Sequence, residues 1–169
     1  MVKDTKKTTT GAATAAPSRR SAPTIPSNEE ILVYNGFYGM LNYTSKRGGN
    51  PLLFMQFGDS DYITFGELQT MRSTQPAFFT KNWILIEDQE VLDALNVSRY
   101  YENSLHIYEF EDVFKKPIKQ LKEILAKVPE TQKIVLYHLA AEKIASGEID
   151  SKKTIDALEE AFGTSFEEE

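Results

Sequence analysis

The chain has 169 residues, with 19 Lys and Arg against 25 Asp and Glu, a formal net charge of −6, two His and no Cys. That length fits one domain with a core of its own. The missing Cys excludes a disulfide framework, a thiolate zinc site and a cysteine nucleophile, the longest apolar runs are far too short to span a bilayer, and the acidic balance argues against a protein coated in nucleic acid.

Charge is unevenly spread. Met1–Ser27 holds five basic residues, Lys3, Lys6, Lys7, Arg19 and Arg20, and one acid, Asp4. The rest of the chain then carries a charge of −10. Of those 27 residues, 17 are Thr, Ala, Ser or Pro, and all 19 aromatics follow them. So little apolar surface cannot offset the entropy of ordering, so 1–27 reads as a flexible basic arm, disordered in isolation. It lacks the apolar centre of a secretory signal, and its prolines and missing amphipathic stripe count against a transit peptide. It is either a solubilising tail or an assembly arm for an acidic partner surface or packaged DNA.

Residues 28–163 read as a single α+β domain, with an acidic tail at 164–169. Ile31–Tyr34 is a strand, and Asn35-Gly36 signals a hairpin turn leading into Tyr38–Thr44. In that second strand Met40, Asn42 and Thr44 share one face, and Leu41 and Tyr43 the other. Ser45–Pro51 is a loop, Leu52–Phe57 a third strand, Gly58–Asp61 a turn and Tyr62-Ile63 a fourth strand. Thr64-Phe65-Gly66-Glu67 matches a capping box, so a helix runs to about Ser73 and stops at Gln75-Pro76. Trp83–Ile86 is a short buried strand, and Asp88 caps the next helix. Val97–Asn103 is another short helix, and Leu105–Phe110 a strand or an extended link. Glu111–Lys116 makes a turn of helix. Pro117 opens a helix with the stripe Ile118, Leu121, Ile124 and Leu125. A helix from Thr131 ends at Gly147, and a last one, capped by Asp150 or Ser151, ends at Gly163. The expectation is a small antiparallel sheet in the N-terminal half followed by a helical C-terminal half.

Motifs that carry chemistry are missing. Gly58-Asp59-Ser60-Asp61 lacks the remaining ligands of a calcium loop, and Asx turns explain its acids. Lys46-Arg47-Gly48-Gly49 lacks P-loop spacing; it is a solvated turn or a contact loop for an acidic neighbour. The lysines of 115–127 with Glu123 form a salt-bridged exposed face. His106 and His138 have no second His near them in sequence, and there is no G-x-S-x-G elbow and no H-E-x-x-H. In the helix pair of 131–162, Asp156, Glu159 and Glu160 would repel phosphate, which argues against a DNA-reading unit. The expectation is a protein that is not an enzyme, with no cofactor and no metal.

What remains is surface. Phe78-Phe79 and Tyr100-Tyr101 are adjacent aromatics that cannot both point inward on a strand, so one of each pair is expected to face solvent or a partner. Phe, Tyr and Arg favour interface centres. The candidate contact residues are therefore the five arm cations, Lys46, Arg47, Phe78, Phe79, Arg99, Tyr100 and Tyr101.

Between Val33 and Ile86 the chain resembles small virion structural proteins of tailed bacteriophages. The likeness rests on Val33-Tyr34-Asn35-Gly36, Leu41–Gly48, Phe57–Ile63, Glu67–Ser73, Pro76–Phe79 and Asn82–Ile86, roughly a third of the chain. It implies a non-enzymatic particle component, made in the host cytoplasm and present in several copies in a symmetric assembly with other virion proteins at capsid, neck or tail. It implies no site residues and no membrane. The other reading is a soluble adaptor that binds host protein or nucleic acid through the basic arm.

Overall fold

The computed structural model describes residues 24–166. The arm cations Lys3, Lys6, Lys7, Arg19 and Arg20 lie outside the described residues. The folded chain already includes Thr24–Ser27: Ile25 packs on the core, Pro26 O accepts from Glu29 N at 3.0 Å and Ser27 O from Gly66 N at 2.8 Å.

The architecture is a small antiparallel sheet system followed by helices, the α+β arrangement expected from the sequence. Strand β1 (Glu30–Asn35) is central in a three-stranded sheet, flanked by β4 (Ser60–Thr64) and β5 (Ile84–Leu85). Strands β2 (Leu41–Tyr43) and β3 (Leu52–Phe54) form a separate two-stranded ribbon. The Asn35-Gly36 hairpin is therefore corrected: β1 pairs with β4, running from Glu30 opposite Thr64 to Tyr34 opposite Ser60, and not with β2.

Asn35 supplies the reason. It is fully buried, where a turn residue would be solvated. Its Nδ2 donates to Gly39 O at 2.8 Å and Gln56 O at 2.7 Å, and its Oδ1 accepts from Phe37 N at 3.0 Å. The turn chemistry is present, but it ties β1 to two loops, and the chain leaves at an angle that starts a second sheet. At the adjacent Gly36, a Cβ would meet Asn82 O at 2.6 Å, so only glycine lets the β1 exit lie this close to the β5 entry.

Alternation on β1 sends Ile31 and Val33 to one face and Leu32 and Tyr34 to the other. The first face closes a core with Leu41, Tyr43, Leu52, Phe54, Ile84 and Ile86 and the helices α1 (Phe65–Thr74), α2 (Ala77–Thr80) and α3 (Gln89–Ala94). On the second face Tyr34 and Leu85 meet a core built by α4 (Glu109–Asp112), α5 (Ile118–Lys127), α6 (Glu130–Ala145) and α7 (Lys152–Phe162). Strand β5 is buried on both sides because it lies between the two cores.

The caps read from the sequence are largely present. Thr64 Oγ1 accepts from Glu67 N at 3.3 Å, while the Glu67 carboxylate turns away from the box to the Tyr43 hydroxyl. Asp88 caps α3, accepting from Glu90 N at 2.9 Å. Gly163 ends α7 in the left-handed region at φ 71°. Ser98–Tyr100 and Val113–Lys115 are single 3-10 turns. Leu105–Tyr108 is a link, not a strand, and Glu109 and Phe110 begin α4. The buried Gln132 holds the start of the link: its Oε1 accepts from Leu105 N at 2.8 Å, and its Nε2 donates to Leu105 O at 3.2 Å and to Ser104 Oγ at 2.6 Å. Past α7, Phe166 stacks on Tyr137 at 5.1 Å and its N–H donates to Glu159 at 2.9 Å, so the folded domain runs into the segment expected as a tail.

Candidate interaction surface

The β2–β3 ribbon carries a group of exposed apolar side chains. Leu41, Tyr43, Leu52 and Phe54 point into the first core. The opposite face should be polar in a strand that meets only water. It holds Met40, Leu53 and Met55, exposed by 58%, 60% and 60%. Leu41 pairs with Phe54, Asn42 with Leu53 and Tyr43 with Leu52, and Met40 and Met55 flank the ladder just past the Leu41–Phe54 pair. The outward face of the ribbon thus pairs the polar Asn42 with the exposed Leu53, and two exposed methionines flank it.

Lys46 and Arg47 sit in the loop that joins β2 to β3. Both are exposed, and among the described residues neither side chain has a hydrogen-bond or ion-pair partner. The loop is held by its glycine: a Cβ on Gly49 would lie 1.9 Å from the Glu67 carboxylate. That carboxylate is already bonded to Tyr43. Burial, with the Glu67 carboxylate beside it, pushes the Tyr43 hydroxyl well above the usual tyrosine range, so it stays protonated and donates.

A second surface surrounds the β1 exit. Phe37, Tyr38, Trp83, Ile134 and His138 line a groove of about 510 Å³. Tyr38 stacks flat on His138 with centroids 3.8 Å apart and donates to Glu142 Oε1 at 3.1 Å, which raises the Tyr38 pKa. Lys81 lies 5.5 Å over the Trp83 ring. These contacts bind the Gly36–Met40 loop to α6.

A third surface is acidic. Residues Thr24–Pro26, the start of β1 and the start of α3 enclose a groove of about 430 Å³. Two of its five carboxylates are committed: Glu87 to His106 and the Ile107 N–H, and Asp88 to the α3 cap. Glu29, Glu30 and Glu90 have no ion pair or side-chain hydrogen bond among the described residues.

The aromatic pairs behave differently from expectation. Phe78 and Phe79 are both in the core, at 4% and 1% exposure, so neither is a contact residue. Pro76 begins a single helical turn there, and adjacent residues on a helix are about 100° apart, so two neighbours can bury against two different walls. Phe78 packs edge-on against Tyr43 and Trp83 at 5.4 and 5.5 Å. Tyr101 is also structural: its hydroxyl donates to Ile84 O at 2.9 Å, its ring touches both cores, and burial raises its pKa. Tyr100 is half-buried against the first core beneath the exposed Arg99, whose guanidinium lies 4.8 Å from the ring centroid. The structure brings none of these together with Lys46 and Arg47 as one patch.

The residues that sequence reasoning missed are Met40, Leu53 and Met55. The alternation of β2 already placed Met40 away from Leu41 and Tyr43, but its neighbours were unknown until β3 was paired with β2. His106 pairs with Glu87 and His138 stacks on Tyr38. Among the described residues no group of three or more His, Asp or Glu is arranged to hold a metal ion, and no helix is long and apolar enough to cross a membrane. No family model, curated protein or solved structure matches the chain.

Proposed function

We propose that the chain is a non-enzymatic structural component of a bacteriophage particle, present in several copies and attached to capsid, neck or tail neighbours. The observation that carries this is the exposure of three large apolar side chains, Met40, Leu53 and Met55, at the β2–β3 ribbon, whose other face is already buried in the core. Leu53 on the outward face, with Met40 and Met55 just past the strand ends, is exposed where a sheet face that meets only water would be polar. Such exposed apolar groups mark contact surfaces. Methionine suits this role because its flexible thioether moulds to a neighbour. The unpaired Lys46 and Arg47 at the end of the same ribbon add a cationic rim, the arrangement of apolar centre and polar edge found in protein interfaces. The resemblance of Val33–Ile86 to tailed-phage virion proteins supplies the class of assembly.

The test is peptide mass spectrometry on purified particles of the phage that encodes the chain, with copy number measured against the major capsid protein. A fixed copy number per particle supports the proposal. Absence from particles, with abundant protein in infected cells, overturns it.

A further inference from the structure

We infer that the acidic groove at the root of β1 is the seat of the chain's own Arg19–Arg20 pair. The inference goes beyond the virion reading and stands or falls separately from it.

Four observations support it. First, the groove is built on an open part of a sheet face. Leu32 and Tyr34, on the same side of β1, are both half-buried; Tyr34 leans on the second core, and both line the groove with Val91. Second, every charged side chain that lines it is negative, and Glu29, Glu30 and Glu90 lack ion-pair or side-chain hydrogen-bond partners among the described residues. Asp88 keeps its charge committed to a helix cap, so a ligand meets three free carboxylates. Third, Thr24, Ile25 and Pro26 are themselves part of the groove wall, so the chain beyond Thr24 starts at its mouth. Fourth, the nearest charges along that chain are Arg19 and Arg20, both positive.

Reach makes the chain's own segment the occupant. Arg20 is four residues from Thr24, which at most about 3.5 Å per residue keeps it within about 14 Å of a residue of the groove wall. A tether this short sets an effective concentration in the millimolar range, above any free competitor in dilute solution. Guanidinium groups match paired carboxylates with two parallel hydrogen bonds, and several carboxylates on one pair gain more than a lone exposed ion pair. Once Arg19–Arg20 is seated, the chain leaves the groove with residues 1–18 still ahead. That length, at up to about 60 Å extended, carries Lys3, Lys6 and Lys7 well clear of the body. The groove would then fix the point from which the distal lysines depart.

The chain has no cysteine, so Ser18→Cys provides one site for a nitroxide label on the full-length protein. Paramagnetic broadening of backbone amides is read at low and high salt. The expected result is broadening of the Leu32, Glu90 and Val91 amides at 20 mM salt that is lost at 1 M salt. The same broadening should be lost in the E29Q/E30Q/E90Q variant, whose remaining spectrum reports that it is folded. No broadening at these amides overturns the inference, as does broadening that persists in the triple variant. A mixed sample of labelled, isotope-free protein and unlabelled, isotope-enriched protein distinguishes the source. Broadening there means that the groove takes a second copy's arm, and overturns seating of the chain's own segment.

Discussion

Replacing Asn35 by Leu probes the joint that directs the whole sheet region. The side chain is fully buried and makes three hydrogen bonds, two donated to Gly39 O and Gln56 O and one accepted from Phe37 N. Leucine fills nearly the same space and makes none. Each lost bond removes about 1 kcal/mol, and each backbone group left unpaired adds a desolvation penalty of about 1 kcal/mol or more where water cannot reach it. The expected loss is about 3–5 kcal/mol, a large share of the roughly 5–15 kcal/mol that holds a domain together. In urea unfolding at a slope near 2 kcal/mol/M this moves the midpoint down by about 2 M. Asn35→Asp is the matched control. It keeps the acceptor for Phe37 N–H but turns an oxygen toward two carbonyls, which favours the protonated carboxyl in the folded state. Its folded pKa is then raised, so the stability it retains is present at low pH and is lost as pH rises through that value. The gap between Asn35→Asp and wild type should narrow as pH falls toward 4. A loss below about 1 kcal/mol for Asn35→Leu, or a gap for Asn35→Asp that does not change with pH, would refute the account of this joint.

Other substitutions and titrations follow from the same contacts. Gly36→Ala drives a Cβ to 2.6 Å from Asn82 O and 2.9 Å from Leu85 Cγ, and calorimetry should register a destabilisation of about 1–3 kcal/mol. The raised pKa values of Tyr43 and Tyr101 mean that the folded state holds these protons more tightly than the unfolded chain does. Their stabilisation is full below about pH 10 and is lost above it, and alkaline unfolding of the Tyr43→Phe/Tyr101→Phe variant should show a shallower dependence on pH. Phe79→Ala, at a core position 1% exposed, should cost about 3–5 kcal/mol by chemical denaturation, whereas a residue that served only as a partner contact would leave stability unchanged.

Local chemistry was legible in the sequence, and pairing across distance was not. Thr64 and Asp88 were readable as caps because a cap is made by residues within three positions of it. Gly163 was readable as a stop for the same reason. Asn35-Gly36 is not a hairpin turn: Asn35 ends β1, its Oδ1 accepts from Phe37 N, and the strands that pair with β1 are β4 and β5, which lie far along the chain. Phe78-Phe79 misled because adjacency was judged by the period of a strand, whereas Pro76 starts a helical turn. The exposed apolar group is the extreme case. Met40 and Met55 come to the same end of the ribbon only through the Leu41–Phe54 register, which a loop of eight residues, 44–51, leaves open. The acidic groove likewise joins residues near 30 to residues near 90, and no sequence window contains both.

The central claim is that the exposed apolar group at the β2–β3 ribbon attaches this chain to a particle. The direct measurement is copy number in purified particles for wild type and for M40K/L53K/M55K, each supplied in place of the native chain. All three positions are exposed, so the variant should remain folded, as circular dichroism on the purified protein would confirm. The account predicts a fixed copy number for wild type and at least a tenfold loss of the variant from particles while it accumulates free in the lysate. Equal incorporation of both, or absence of both, would contradict it.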